Sequence, residues 1–392
     1  MLFALKFALT IACVLAGAGG VFLGLVSLAL AETSLTRVLA AALMLGASAL
    51  TMVIFGLRTQ KGTGHRLFRL GLLHGVDAFV LLSLCASRSP SGQPPEGARF
   101  SSEFYDGARF DHGSMSNLVP EIDQVKIGIH LNSGSNPLLA GAKGIRLEEL
   151  CLGIYREMAA APDFRTAGSA LGRNYNEAFG DEPKPGHAFL YHPGAAEGER
   201  LPAIVFLHGE HGNLKAYYWV WKQFADDHRF AIIGPTFGAG NWEKPGGVEA
   251  VLGALEIVKR RDDIDPARVW LCGLSTGAKG VSRAGTAAEP GRFRGLIFIS
   301  PRLDESSIGS DAFRNAWAGG RALIIHGRQD EITPIDRVSP QAEFLRSSNI
   351  DARLEVIEGE DHFLFFSQPE AIFTRIEPWI KSGDPSGEKM PL

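Results

Sequence analysis

The chain has 392 residues, of which 45% are hydrophobic and 21% charged, with a formal net charge of -4. That length accommodates one large domain and a further region, with an ordinary share of core-forming residues. The slightly acidic balance, with acidic and basic residues interspersed and no basic stripe, argues against a nucleic-acid partner.

The apolar residues are unevenly spread. Residues 7–31 and 38–57 carry no charge, and residues 70–87 carry only His74 and Asp77. About three membrane-spanning helices are therefore expected within a region 1–87 that ties the chain to a membrane. Ala29-Leu30-Ala31 before Glu32 also fits a small-residue signal cleavage site; the length of the first apolar stretch and the immediate start of a second favour an uncleaved anchor. Arg58, Lys61, Arg66 and Arg69 share one short loop, as expected on the cytoplasmic side. With the amino terminus inside, three spans place everything after residue 87 on the extracytoplasmic, periplasmic face, and cleavage after Ala31 leads to the same side. His74 and Asp77 fall three residues apart on one helical face. They are read as a hydrogen-bonded pair turned towards the other two helices, beside the alternative of a functional pair.

Ser87–Gly97 holds three prolines and two glycines, and residues 88–118 are expected to be a linker, followed by one catalytic domain over 119–384. Alternation predicts a strand over Val125–Leu131, and helical spacing of Leu147, Leu150, Cys151, Ile154 and Met158 predicts an amphipathic helix over Arg146–Ala160. Asp181–Gly186, with Pro183 and Pro185, marks a loop. Beyond it strands are predicted at Ala188–Tyr191, Ala203–Leu207, Ala231–Gly234, Val269–Gly273, Leu296–Ser300, Ala322–His326 and Leu354–Ile357. Amphipathic helices lie between several of them, most clearly Gly247–Arg260. Short apolar strands separated by such helices predict an α/β domain with a mainly parallel, doubly wound sheet, whose active site lies at the strands' carboxyl ends.

One strand end stands out. Gly273-Leu274-Ser275-Thr276-Gly277 closes the apolar run from Val269 and opens a small-residue helix. A serine on a tight strand-to-helix turn is held with its hydroxyl exposed above the sheet, and side chains at 273 and 277 would collide with the neighbouring strand and helix. Ser275 is the candidate nucleophile. The other strand ends deliver His208-Gly209-Glu210-His211-Gly212, Gly327-Arg328-Gln329-Asp330 and Asp361-His362, so that Ser275, Asp330 and His362 follow one another in the order nucleophile, acid, base. His208, His211 and His326 compete with His362 for the base, and His208 and His326 precede glycines at turns, where they orient loops. Asp304 competes with Asp330 for the acid, whereas Asp361 is too near its neighbour in sequence. His208-x-x-His211 lacks a third metal ligand at suitable spacing. Cys13, Cys85, Cys151 and Cys272 form neither a disulfide framework nor a metal site and read as small buried hydrophobes.

Residues from about 187 to 381 resemble the catalytic domain of the α/β-hydrolase-fold superfamily, of the esterase, lipase and dienelactone-hydrolase-like kind. The motifs carrying the resemblance are F-L-H-G-E-H-G, G-L-S-T-G, H-G-R-Q-D-E-I-T-P and G-E-D-H-F, in that order. The resemblance implies a Ser275-Asp330-His362 triad, an oxyanion hole made by the backbone N–H groups of Thr276 and Glu210, and no cofactor. Glu210 departs from it, since related enzymes often carry a small or apolar residue there. A membrane-anchored serine hydrolase acting on a small-molecule or lipid-like ester is therefore expected, beside a peptidase or thioesterase on the same fold and a non-catalytic membrane scaffold. Tyr217, Tyr218, Trp219, Trp221, Phe237 and Trp242 are read as core beneath a helix, with a substrate pocket as the alternative.

Overall fold

The computed structural model describes residues 2–59, 62–107, 113–137, 139–178 and 180–383. The chain forms two compact units, residues 1–90 with 111–148, and residues 91–110 with 149–392. These differ from segments drawn on composition at 1–87, 88–118 and 119–384. The stretch expected as a linker contains a strand of the sheet, and residues 111–148 pack with the N-terminal helices.

In the first unit, helices α1 (Leu2–Leu30), α2 (Ser34–Arg58) and α3 (Thr63–Arg88) follow one another through short turns. Thr10–Leu30, Ser34–Arg58 and Thr63–Arg88 are long and apolar enough to cross a membrane. Small residues bring the backbones close: a Cβ at Gly20 would meet Ala47, one at Gly24 would meet Met44, and one at Gly71 would meet Val53. His74 reaches Ser48 on α2, Nδ1 to Oγ, at 3.0 Å. Asp77 lies on the exposed side of α3, so the expected His74–Asp77 pair facing the other helices is replaced by a His74–Ser48 contact.

Residues 121–132 form a helix, Glu121–Asn132, where alternation predicted the strand Val125–Leu131. Ile122, Val125 and Ile129 also sit at helical spacing, and Asp123 explains the outcome. Its fully buried carboxylate accepts hydrogen bonds from the hydroxyls of Thr33 (2.5 Å) and Thr36 (2.7 Å) and from the Glu32 backbone N–H (2.5 Å), capping the start of α2 from outside.

The second unit is built on eight strands: β1 (Phe100–Phe104), β2 (His187–Tyr191), β3 (Leu201–Leu207), β4 (Ala231–Pro235), β5 (Ile264–Leu274), β6 (Leu296–Ile299), β7 (Arg321–Gly327) and β8 (Asp351–Ile357). Their order is β1-β2-β4-β3-β5-β6-β7-β8. The two pairings that involve β2 are antiparallel and the rest are parallel. The seven strands expected after His187 are all present.

The sheet is covered on both faces, and side-chain alternation sorts the two cores. Ala203, Val205, Val269, Leu271, Leu296, Phe298, Ala322 and Ile324 share one core with the buried faces of helices Gly247–Arg260 and Gly277–Ala287. Phe206 points the other way, against Tyr217 and Trp221 of helix Lys215–His228 and against Phe365. Residues 160–171 close this side. Phe164 stacks on Phe100 with centroids 4.1 Å apart, and the buried Lys215 ammonium donates to the carbonyls of Phe164 and Ala167 at 3.1 Å each. An ammonium held this way keeps its hydrogen bonds out of water, which unpaired burial would forfeit.

Candidate active site

β5 ends at Leu274 and the helix Gly277–Ala287 begins three residues later, so the chain reverses through Ser275 and Thr276. Ser275 has φ 52°, a left-handed conformation that costs a residue with a Cβ about 1–3 kcal/mol. Its N–H donates to the Ile299 carbonyl at 2.9 Å, and its own carbonyl accepts from Arg302 N–H at 3.0 Å, so β6 holds the turn in place. The flanking glycines are required sterically. A Cβ at Gly273 would lie 2.6 Å from the Gly277 carbonyl group, and one at Gly277 would lie 2.2 Å from the Leu207 carbonyl oxygen.

β7 and β8 run side by side, and the loops that follow stay joined: Arg328 N–H donates to the Ile357 carbonyl at 3.0 Å and Gln329 N–H to the Glu360 carbonyl at 2.8 Å. This brings Asp330 and His362 together. His362 Nδ1 lies 2.7 Å from Asp330 Oδ2, and its Nε2 lies 2.9 Å from Ser275 Oγ. The other carboxylate oxygen of Asp330 accepts from the N–H groups of Ile332 and Thr333, both at 2.8 Å. Ser275, Asp330 and His362 are 8%, 3% and 6% exposed, so the chain of hydrogen bonds is shielded, with the serine nearest solvent.

No protein-family model and no curated protein matches the chain. Among solved structures it is similar to an esterase from Pyrobaculum calidifontis, at 18% identity and TM-score 0.41 over 51% of this chain and 84% of that one. It is also similar to Est1E from Butyrivibrio proteoclasticus, at 15% identity and TM-score 0.41 over 52% of this chain and 99% of that one. A third likeness is to an S-formylglutathione hydrolase from Agrobacterium tumefaciens, at 17% identity and TM-score 0.39 over 50% of this chain and 89% of that one. The sheet order, the strained serine between β5 and its helix, and the hydrogen-bonded Asp330 and His362 after β7 and β8 decide the architecture. The fold is the α/β-hydrolase fold.

The remaining candidates of this α/β-hydrolase fold find other partners. Asp304 caps the short helix Glu305–Ile308 through the N–H of Ser306 and pairs with Arg283 at 2.7 Å. Burial raises its carboxyl pKa, but the hydrogen bonds from Ser306, Ser307 and Arg283 outweigh that and hold it below the usual range. Asp361 accepts from Phe363 N–H within its own turn at 2.9 Å. His208 has both ring nitrogens engaged with backbone, Nδ1 donating to the Gly209 carbonyl at 2.8 Å and Nε2 accepting from Phe237 N–H at 3.2 Å, so neither is free for a metal. His326 Nε2 donates to the Thr333 carbonyl at 2.9 Å. Tyr218, Trp221, Phe237 and Trp242 are buried core.

Gly209 packs on Ser275, where a Cβ would stand 3.4 Å from Ser275 Cβ. The loop that carries Glu210 therefore lies beside Ser275. The Glu210 side chain turns towards Arg302 at 3.5 Å, with both side chains partly exposed. Arg302 is a residue that sequence reading passed over, because nothing in its immediate neighbours marks it as adjacent to the serine.

Burial holds two histidines neutral. It lowers the His208 pKa to about 4 and that of His187, whose Nδ1 meets Thr236 Oγ1 at 2.8 Å, to about 3. The unfolded chain takes up protons on these rings below about pH 6.5, while the folded one does so only near the lowered values. Stability is thus retained above pH 6.5 and lost as pH falls towards 4 and 3, at up to about 1.4 kcal/mol per pH unit for each ring. Chemical denaturation between pH 7 and pH 4.5 should show the midpoint dropping steadily; a flat profile would contradict the burial of both rings as neutral groups.

Proposed function

We propose that this chain is a membrane-anchored serine hydrolase that cleaves carboxylic esters through an acyl-enzyme. The observation that carries the reading is the strained Ser275, whose hydroxyl lies 2.9 Å from His362 Nε2 while Asp330 holds the opposite ring nitrogen at 2.7 Å. A serine hydroxyl is a weak nucleophile at its own pKa and needs an adjacent base. His362 Nε2 takes the proton as Ser275 Oγ bonds to the ester carbonyl carbon, and Asp330 keeps the ring in the tautomer with hydrogen on Nδ1 and stabilises the imidazolium. The backbone N–H groups of Thr276 and Glu210 donate hydrogen bonds to the carbonyl oxygen as negative charge develops on it, each contributing about 3 kcal/mol in the transition state. The leaving alkoxide takes the proton from His362 and departs as an alcohol. Water, deprotonated by the same nitrogen, then attacks the acyl carbon; the bond from that carbon to Ser275 Oγ breaks, His362 returns the proton to Oγ, and the acid is released. Chain, substrate and water supply every atom, and the substrate class is a small-molecule or lipid-like ester.

A fluorophosphonate probe should label Ser275 in the folded full-length protein, as read by peptide mass spectrometry. Absence of label, or label elsewhere, would favour a non-catalytic scaffold.

The hydrolase unit is further proposed to stand on the extracytoplasmic face, with the basic residues where α2 ends and α3 begins inside. Arg58 closes α2, and Arg66 and Arg69 lie in the first turns of α3 rather than in one loop; Lys61 lies outside the described residues. The contact of Asp123 with the turn between α1 and α2 supports this, because it keeps that turn on the same side as the chain emerging from α3. Asp77 opposes it by about 2.5–3.5 kcal/mol at a helix centre, offset by the apolar side chains of α3. Alkaline phosphatase fused after Ser101 should be active, and green fluorescent protein fused after Leu392 and exported unfolded should stay dark. The reverse pair of outcomes would place the unit in the cytoplasm.

A further inference from the structure

The helix Gly172–Ala178 lies outside the sheet, yet it grips two loops that border the site. Asn174 Nδ2 donates to the His211 carbonyl at 2.6 Å, so close that a Cβ at Gly212, φ 102°, would meet the amide at 2.0 Å. One turn on, the carboxylate of Glu177 enters the loop that follows β4. Its Oε2 accepts from Ala239 N–H at 2.8 Å, and its Oε1 accepts from Asn241 Nδ2 at 2.5 Å and from Lys244 Nζ at 2.8 Å. The Glu177 side chain is only 9% exposed, and these bonds outweigh the raising effect of burial and hold its pKa below the usual carboxylate range.

The loop that Glu177 organises is the seat of the Gly209–Glu210 peptide. Phe237 N–H and the Trp242 indole N–H donate to His208, at its Nε2 (3.2 Å) and its carbonyl (3.0 Å). His208 Nδ1 in turn donates to the Gly209 carbonyl at 2.8 Å. Gly240, φ 92°, lies against the same oxygen: a Cβ there would be 2.5 Å from Gly209 O and 3.1 Å from Thr276 Oγ1. In a planar trans peptide the C=O and N–H point in opposite directions. Fixing the Gly209 carbonyl therefore fixes the direction of Glu210 N–H.

We propose that Glu177 is a positioning residue for the oxyanion hole: by ordering residues 237–244 it sets the Gly209–Glu210 peptide plane and so aims the Glu210 N–H. The proposal rests on the reading of Ser275 as nucleophile. An oxyanion donor acts on charge that develops in the transition state, so its misalignment lowers kcat and leaves KM nearly unchanged. It also discriminates between oxygen and sulfur at the reacting carbon, because thiocarbonyl sulfur accepts hydrogen bonds poorly.

The test is Glu177→Gln in the full-length protein in detergent, assayed on an oxygen ester and its thiono counterpart. Loss of one such donor costs about 100–1,000-fold; a tilted donor should cost about 10–100-fold in kcat on the oxygen ester, with KM within about twofold. The thiono ester should be nearly unaffected, so the ratio of the two rates should shrink by the same factor. Unchanged kcat on the oxygen ester, or equal losses on both esters, would overturn the proposal whatever happens to the melting temperature. Should Glu177→Gln not fold, Asn174→Ala must compress the ratio, and an unchanged ratio there overturns the proposal equally. If wild-type protein turns over no ester and takes no fluorophosphonate label, the nucleophile reading fails and the proposal falls with it; a labelled, active wild type with no ratio change defeats the proposal alone.

Discussion

Ser275→Ala should lower kcat by about a million-fold while leaving the melting temperature close to that of the wild type. The hydroxyl is the only group removed, and the backbone that holds position 275 at φ 52° is set by its neighbours: Ile299 accepts its N–H, Arg302 donates to its carbonyl, and Gly273 and Gly277 leave room for the reversal. Alanine keeps the same Cβ in the same place, so fold and oxyanion donors persist. What remains should be the modest acceleration over water that binding and charge stabilisation give without a nucleophile. Single-turnover kinetics with a chromogenic ester measures the loss. A variant retaining a tenth of the wild-type rate would rule out an acyl-serine.

Asp330→Asn should lower kcat by about ten-thousand-fold with little structural change. The direction of the effect follows from the two N–H groups that meet Asp330 Oδ1 at 2.8 Å. An asparagine here satisfies those donors only with its oxygen, which turns its NH2 towards His362 Nδ1. The ring must then accept at Nδ1 and carry its hydrogen on Nε2, where it faces Ser275 and cannot receive a proton. Asp304→Asn is the control. Asparagine is a good helix N-cap, so Ser306 keeps its partner and only the Arg283 pair, itself partly exposed, is weakened. Turnover of Asp304→Asn near the wild-type value is the expected result. The opposite pattern would move the acid to the end of β6.

Some of this was legible in the residues because burial leaves a one-dimensional mark. A strand covered on both faces of the sheet is apolar along its buried length, and β2, β3, β4, the second half of β5, β6 and β7 read as such runs. The elbow is half local: a Cβ at Gly273 would meet Gly277 and Ala278 just along the chain, whereas one at Gly277 would meet the Leu207 carbonyl oxygen of β3. β1, Phe-Ser-Ser-Glu-Phe, left no such mark. It lies at the edge of the sheet, only Phe100 is fully covered, and its pairing with β2 supplies backbone bonds that any side chains permit. The helix Glu121–Asn132 misled for the converse reason. Val125, Ile127, Ile129 and Leu131 alternate, and what favours the helix is a carboxylate at 123 that meets hydroxyls about 90 residues earlier in the chain.

The three apolar helices, the α/β layering, the tight turn at Ser275 and the chain order of serine, aspartate and histidine were thus legible in the residues, because burial leaves apolar runs and glycines flank a serine held on such a turn. Only the tertiary structure shows which of Asp330 and Asp304 meets His362. Both follow parallel strands and both carry the same carboxylate, but only the joined loops after β7 and β8 bring an aspartate to 2.7 Å from His362 Nδ1. It also decided that Glu177 and Asn174, polar residues in a segment without pattern, border the site. Asn174 meets a backbone carbonyl 37 residues away, and Glu177 meets a backbone N–H 62 residues away besides the side chains of Asn241 and Lys244; partners so distant in the chain leave no local pattern.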